Sequence, residues 1–352
     1  MWRITWRDLV HRRRRFLIAG VATAIVLSVA LMMGGVVVAV RTQNERVVTR
    51  FHADGWWVPV GAGGPFTAGP VVPEADVAAL ARVPGITRAE AVVLLRTTLT
   101  TGSGRDASVT DVNLVGVRPD GLGRPPVTEG RWLRSRGETV LDDTLGHEVG
   151  DVVHTGGKRL VVVGLAHQVS YLFAVPTMFL GLRDAQDVGA GGQRSSSAVV
   201  TQGIARGPGP PGLVRYDDGA VLDDLNRVIG KGLSAVETVQ AIMLVAAAAI
   251  VALIIYLSAI ERGRDVAVLK VSGASRSFVA VGLLAQGLAV TTPASLVALG
   301  LARLFEPLFP LELVLTRAVQ LQMVGLAFAV GLLASLVGVR RVLTVDAQEA
   351  FG

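Results

Sequence analysis

A run of 25 residues without a charge, residues 16–40, constrains this chain more than any other feature. As a helix it is about 37 Å long at ~1.5 Å per residue, enough to cross a hydrocarbon core of about 30 Å with some tilt. A cleaved secretion signal has a shorter apolar core, about 7–15 residues, closed by a small-residue cleavage site. Val38-Ala39-Val40 ahead of Arg41 is a poor site of that kind. The run therefore reads as a retained membrane-spanning helix.

Three further runs have the same character. Residues 239–260 carry only Gln240 and Ser258 as clearly polar side chains, residues 278–302 contain Pro293, and residues 321–339 repeat Ala327, Gly331 and Ser335 every four positions. Small residues at that spacing let a neighbouring backbone approach closely, so these three are candidate helix-packing positions. The composition agrees: 51% of the 352 residues are hydrophobic and the mean hydropathy is +0.52, which belongs to the membrane class. The expected fold class is an α-helical membrane protein with four transmembrane helices and one extracytoplasmic α+β domain. Its segments are a basic tail (1–15), helix one (16–40), the outer domain with a stalk (41–235), helix two (236–260), a loop (261–277), helix three (278–302), an outer loop (303–320), helix four (321–339) and a tail (340–352).

Flanking charge sets the orientation. Arg3, Arg7, Arg12, Arg13, Arg14 and Arg15 precede the first run, Arg262, Arg264, Lys270 and Arg276 lie between the second and third, and Arg340 and Arg341 follow the fourth. Arg303 and Arg317 are offset by Glu306 and Glu312. Both termini and the 261–277 loop are thus expected in the cytoplasm of a multi-pass cell-membrane protein. The net charge of +6 sits in these flanks, because residues 41–235 hold 20 basic and 20 acidic side chains. That distribution excludes a nucleic-acid-binding face despite a pI near 10.4.

The outer domain reads as mixed. Residues 74–82 form a short amphipathic helix opened by Pro73 and closed by Pro84-Gly85. Strand patterns follow at 91–99, 109–117, 152–154 and 160–165, with Gly156-Gly157 as a hairpin turn between the last two. Residues 171–182 read as a buried strand, 184–188 as a helix start, 202–212 as a loop and 223–237 as a helix running into helix two. Trp56-Trp57 reads as domain core.

Motifs for chemistry are missing. There is no cysteine, and neither Gly156-Gly157-Lys158-Arg159 nor Gly230-Lys231-Gly232 has the phosphate-loop spacing. His11, His52, His147, His154 and His167 show no metal spacing, and no Gly-x-Ser-x-Gly elbow occurs. The adjacent pairs Asp142-Asp143, Asp217-Asp218 and Asp223-Asp224 suit solvated turns or helix starts. No apolar run carries an ionisable residue at its middle, so the runs read as packing elements and not as an ion path.

The informative segment is Glu261-Arg262-Gly263-Arg264-Asp265-Val266-Ala267-Val268-Leu269-Lys270-Val271-Ser272-Gly273-Ala274-Ser275-Arg276. Val266, Leu269 and Gly273 share one helical face and charges occupy the other, the pattern of a short helix that docks in a groove or lies on a membrane surface. The segment closely resembles the signature of the MacB/FtsX/LolE class of ABC transporter permeases, with Asp265, Val266 and Ser272 as mild departures. Four more stretches are similar to that class in order and spacing. They are Val83-Pro84-Gly85-Ile86, Glu129-Gly130-Arg131-Trp132, the run from Glu138 through Leu145-Gly146 and Val149-Gly150-Asp151 to Val161-Val162-Val163-Gly164, and Arg340-Arg341 with Asp346, Glu349 and Ala350. Ala347 stands where the class usually has proline.

The resemblance implies an outer domain of MacB periplasmic-core type and a half-transporter that dimerises, with itself or with a second permease. It implies two copies of a separate ATPase that binds the ATP and magnesium, so this chain holds no cofactor and is not itself an enzyme. Glu261, Arg262, Arg264, Asp265, Val266, Leu269, Lys270, Gly273, Ala274 and Ser275 would form the coupling helix, with Val266 and Leu269 as buried contacts. The implied cargo is a lipid, lipoprotein, peptide or hydrophobic drug, with membrane lipid and an extracytoplasmic adaptor as further partners. The alternative is an ATP-driven regulator of a cell-wall hydrolase. Members of that kind have smaller outer domains than the ~195 residues here, which favours transport.

Overall fold

The computed structural model describes residues 13–69, 71–102, 108–172, 174–261, 276–305, 320–321, 324–326, 328–334 and 336. Val40–Lys231 forms one compact unit, and the described parts of Met1–Ala39 and Gly232–Gly352 form another.

Short runs of apolar side chains build the first unit. Strands β1 (Gly55–Pro59), β2 (Val72–Pro73), β3 (Arg88–Thr101), β4 (Ser108–Val117), β5 (Val127–Gly130), β6 (Glu138–Asp142), β7 (Val152–Thr155), β8 (Lys158–Ala166), β9 (Thr177–Gly181), β10 (Ser195–Ser196), β11 (Ala198–Gln202) and β12 (Leu213–Tyr216) are formed. Ten of them make one mixed sheet in the order β12-β1-β11-β3-β4-β9-β6-β8-β5, with β7 joining β3 and β8, while β2 and β10 pair separately. The pairs β4–β9 and β6–β8 are parallel. The long β3 spans the sheet's two halves: Arg88–Val92 pairs with β11 and Val93–Thr101 with β4.

Successive residues of a strand point to opposite faces, and both faces of this sheet are buried. Trp56, Val92, Leu94, Val115, Val140, Phe179 and Val200 enter one core; Trp57, Ala91, Val93, Leu114, Leu141, Met178 and Val199 enter the other. Helices α2 (Glu74–Leu80) and α3 (Leu182–Gly189) cover the second face through Val77, Leu80, Leu182 and Ala185. The first face is covered by Val47, Val48 and Phe51, and by Val221 and Leu225. Those residues belong to or adjoin α1 (Arg13–Thr49) and α4 (Asp218–Glu261). Burial on both sides explains why the strands read as near-continuous apolar runs.

The hairpin at Gly156-Gly157 forms, with both glycines at positive φ (52° and 76°) between the paired residues Thr155 and Lys158, the geometry of a two-residue turn. Residues 171–182 differ from expectation, since only Thr177–Gly181 is strand. Tyr171 and Val175 bridge across a tight turn with Leu172 and Ala174 at positive φ. The Asn113 side chain donates to the carbonyls of both Tyr171 and Val175, so a side chain satisfies backbone that a strand ladder would otherwise serve. Helix α1 runs on to Thr49 beyond the apolar run because Asn44, Val47 and Val48 continue a buried face while Arg41, Glu45 and Arg46 point outward.

Among the described residues, three helices are long and apolar enough to cross a membrane: Phe16–Thr49, Asp218–Leu257 and Gly287–Phe305. The last lies within α5 (Arg276–Phe305), which contains Pro293. The expected fourth span is described only in part, with residues 324–326, 328–334 and 336 helical. Leu27, Ala247, Ala298 and Val330 meet in a small core.

Candidate functional site

Of the expected coupling residues, Glu261 is described and ends α4; residues 262–275, and Ala327 and Ser335, lie outside the described residues, and Arg276 begins α5. The described chain thus brackets the candidate coupling segment between two helix ends. Gly331 is described, and its backbone sits against α5. A Cβ added there would stand 2.4 Å from Thr291 Oγ1 and 2.9 Å from Thr291 Cγ2, closer than side-chain atoms approach.

Three hydroxyls of this unit bond to carbonyls of their own helices, while Arg303 Nη2 donates to Gln320 Oε1 at 3.2 Å. Thr291 Oγ1 donates to the Gly287 carbonyl at 3.0 Å, Ser295 Oγ to Thr292 at 2.8 Å and Ser28 Oγ to Ile25 at 2.8 Å. Leu27, Ala30, Leu31, Leu244, Ser295, Ala298, Leu299 and Val324 line a crevice of about 20 Å³, the room of a single water. That crevice is far too small for a lipid or peptide.

Within Val40–Lys231, one group of polar contacts lies along the C-terminal end of α1 and the N-terminal turns of α4. Asn44 Nδ2 donates to Asn226 Oδ1 at 3.0 Å, joining the two helices. Arg46 Nη1 donates to Gln168 Oε1 at 2.5 Å and Arg50 Nη2 to the Gln168 carbonyl at 3.3 Å. Burial, and then the nearby Arg46 charge, pull the Arg50 guanidinium down to about 10, against the pull of Asp142. Trp56 Nε1 donates to Asp218 Oδ1 at 2.9 Å and Trp57 Nε1 to Thr201 Oγ1 at 3.2 Å. Both tryptophans are core, one on each face.

Two carboxylates differ from their expected place in solvated turns. Asp142 is 0% exposed and Asp224 is 2% exposed. Asp142 does start a helix: its Oδ1 accepts from Thr144 N at 3.1 Å and from Thr144 Oγ1 at 2.7 Å, capping the 3-10 turn Asp143–Leu145. Burial pushes its carboxyl above the usual range. Asp224 Oδ1 accepts from Thr67 Oγ1 at 3.0 Å, and burial pushes this carboxyl up as well, offset by Thr67 and Arg227. Helical spacing held the signal for Asp224: Val221, Asp224 and Leu225 share the buried face, so a strict count of the helix period places the carboxylate inward.

The stretches that carried the resemblance are a built structural element. Gly130 and Gly164 are opposite each other on β5 and β8. A Cβ on Gly130 would meet the Val163 carbonyl at 2.4 Å, and one on Gly164 the Arg131 carbonyl at 2.4 Å. Arg131 pairs bidentately with Glu138, at 2.6 Å and 3.0 Å, and Glu138 also accepts from Arg134 N, Ser135 N and Ser135 Oγ. These donors, Arg131 foremost, hold the Glu138 carboxyl well below the usual range. Trp132 donates from Nε1 to the Pro119 carbonyl at 2.8 Å and meets Phe179 edge-on at 5.7 Å.

Residues 238–347 match the FtsX-like permease C-terminal family. An uncharacterized ABC transporter permease of Mycobacterium bovis is 32% identical over 346 residues, 98% of each chain. The chain belongs to the ABC transporter permeases. A further such permease, from Mycobacterium tuberculosis, is 31% identical over 346 residues with the same coverage. Among solved structures, the periplasmic region of MacB from Actinobacillus actinomycetemcomitans is similar to 50% of this permease and over 92% of its own length, at 13% identity and a TM-score of 0.35. The extracellular domain of the ABC-type transporter YknZ from Gram-positive bacteria is similar to 44% and over 84% of its own length, at 15% identity and a TM-score of 0.32. This permease is thus a membrane protein of a family whose members work with an ATPase.

Proposed function

We propose that this permease is the transmembrane subunit that transmits ATP hydrolysis in two copies of a separate ATPase to movement of its outer domain, moving a lipid, lipoprotein, peptide or hydrophobic drug. The relationship over 98% of the chain to ABC transporter permeases carries this reading. The outer domain lies outside the cytoplasm, and the termini and residues 261–277 lie inside it, where flanking arginines place them. Residues 261–275 form the coupling helix between α4 and α5, with Val266 and Leu269 seated in the ATPase and Glu261, Arg262, Arg264, Asp265 and Lys270 making polar contacts around them. Gly273, Ala274 and Ser275 turn the chain into α5. Ala327, Gly331 and Ser335 pack the fourth helix. ATP and magnesium stay with the ATPase, and two permease chains pair to present two coupling helices.

The test is ATP hydrolysis by the cognate ATPase reconstituted in lipid with wild-type permease and with Leu269→Asp. The wild type is expected to bind the ATPase and change its turnover, and the variant to lose both, because a buried unpaired carboxylate costs several kcal/mol. Equal binding by both would remove the coupling role from residues 261–275.

A further inference from the structure

Residues 60–69 contain no titratable side chain and four glycines, yet they close over the most deeply buried carboxylate of α4. Thr67 Oγ1 reaches both oxygens of Asp224, at 3.0 Å and 3.3 Å, and bonds back to the Gly64 carbonyl at 3.2 Å. The Phe66 backbone N–H donates to the same carboxylate. Gly64 passes so close that a Cβ there would lie 2.1 Å from Asp224 Oδ2, and one on Gly63 would lie 3.0 Å from Oδ1. The far side of the loop is anchored in the outer domain. The Phe66 ring packs on Trp56 at 6.2 Å and edge-on to Tyr171 at 5.4 Å. Trp56 in turn donates to Asp218, one turn and a half before Asp224, and Tyr216 Oη donates to the Ala62 carbonyl at 3.3 Å.

A glycine-lined loop that surrounds one carboxylate with donors, and roots its only aromatic residue in the sheet's core, grips both axial position and rotation. A helix sliding by one residue would move Asp224 about 1.5 Å and turn it by about 100°, out of reach of every one of these donors. Elsewhere along the first turns of α4 the sheet is met by one hydrogen bond at the first residue, Trp56 Nε1 to Asp218, and by Val221 and Leu225, whose apolar contacts are non-directional.

We propose that residues 60–69 are a clasp that locks the outer end of α4 to the sheet, with Asp224 as the positioning residue, so that displacement of α4 is delivered to the outer domain without slip. This rests on the coupling reading above for the source of the displacement, but the lock itself exists without nucleotide.

The absence of native cysteine makes the test direct. Spin labels at Val228→Cys on α4 and Arg159→Cys on β8, both exposed, report the helix-to-sheet distance in the full-length permease in lipid. The expected wild-type result is one narrow distance, unchanged when ATP is trapped on the bound ATPase. Asp224→Ala and the milder Thr67→Val are expected to lose the single distance well below their melting temperatures, and Thr67→Ser, which keeps the hydroxyl, to retain it. A merely stabilising contact would lower the melting temperature and leave the distance narrow beneath it, which overturns the proposal. A wild-type distance that shifts on trapping nucleotide overturns it too, because the junction is then a hinge. The nucleotide-free arm reads the clasp alone, so failure of the ATPase to bind sinks the coupling reading without touching this one.

Discussion

The two units of this permease are held together by opposite means. In residues 40–231 the specific contacts are directional. Glu138 accepts from Arg131, Arg134 and Ser135, and Lys158 and Arg136 converge on Asp184 and Asp187. In the helical unit the hydroxyls of Ser28, Thr291 and Ser295 bond to their own helices, and the buried contacts between helices run through Leu27, Ala247, Ala298, Val330 and the close pair Gly331–Thr291, with the exposed Arg303–Gln320 hydrogen bond at its edge. The difference follows from solvent. A helix satisfies its backbone internally, so apolar surroundings leave shape as the discriminator. A sheet domain in water must exclude alternative registers, and buried polar groups with fixed partners do that.

Changes in each unit test this contrast. The largest loss is expected from Trp56→Ala, which removes a fully buried ring, its edge contact to Phe51 at 4.8 Å and its bond to Asp218. A cost of about 3–5 kcal/mol appears as a lower denaturation midpoint of the outer-domain transition in detergent. Glu138→Gln comes next, at about 2 kcal/mol, because the amide returns one donor against Arg131 where the carboxylate offered two acceptors. Its signature is pH. The folded carboxyl is held below its ordinary value of 4.5, so wild-type stability from this group is complete above pH 4.5 and drains as pH falls beneath it. The variant should lack that slope.

Gly331→Ala is expected to cost about 1–2 kcal/mol by overpacking, read as a lower melting temperature. Thr291→Ala in the same chain should recover most of it by removing the two nearest atoms the new methyl meets, Oγ1 and Cγ2, leaving Cβ at 3.1 Å. Failure of that rescue would mean shape is not what discriminates in the helical unit. The smallest effect is expected at Asp142. Burial holds its folded carboxyl above 3.8, so the folded state binds the proton more tightly than the unfolded one. Between 3.8 and the raised value this group adds stability as pH falls, opposite to Glu138. Asp142→Asn should make acid denaturation of the outer domain steeper than in wild type.

Much of the helical unit is legible in the sequence, because length and absence of charge decide it locally. The run at 16–40 and the helix carried past Glu237 follow from a few neighbouring residues, as does, in the sheet unit, the turn at Gly156-Gly157. The sheet is legible at its longest strands, and at the short β7, which the glycine turn before β8 marks. The chain shows β3 and β4 through their apolar length, but β1, β6, β11 and β12 are too short to declare themselves, and their partners lie far away in sequence, as Trp57 pairing with Val199 illustrates. Asp142 and Asp223-Asp224 looked alike as acidic pairs. Tertiary structure alone buried Asp142 beneath a capping turn, and drew the glycine loop around Asp224 from 157 positions away. The helix period turns Asp224 inward, but which distant backbone closes over a side chain is information that short stretches of sequence do not contain. Membrane-spanning segments escape the difficulty, because their partner is the bilayer, whose thickness every chain meets in advance.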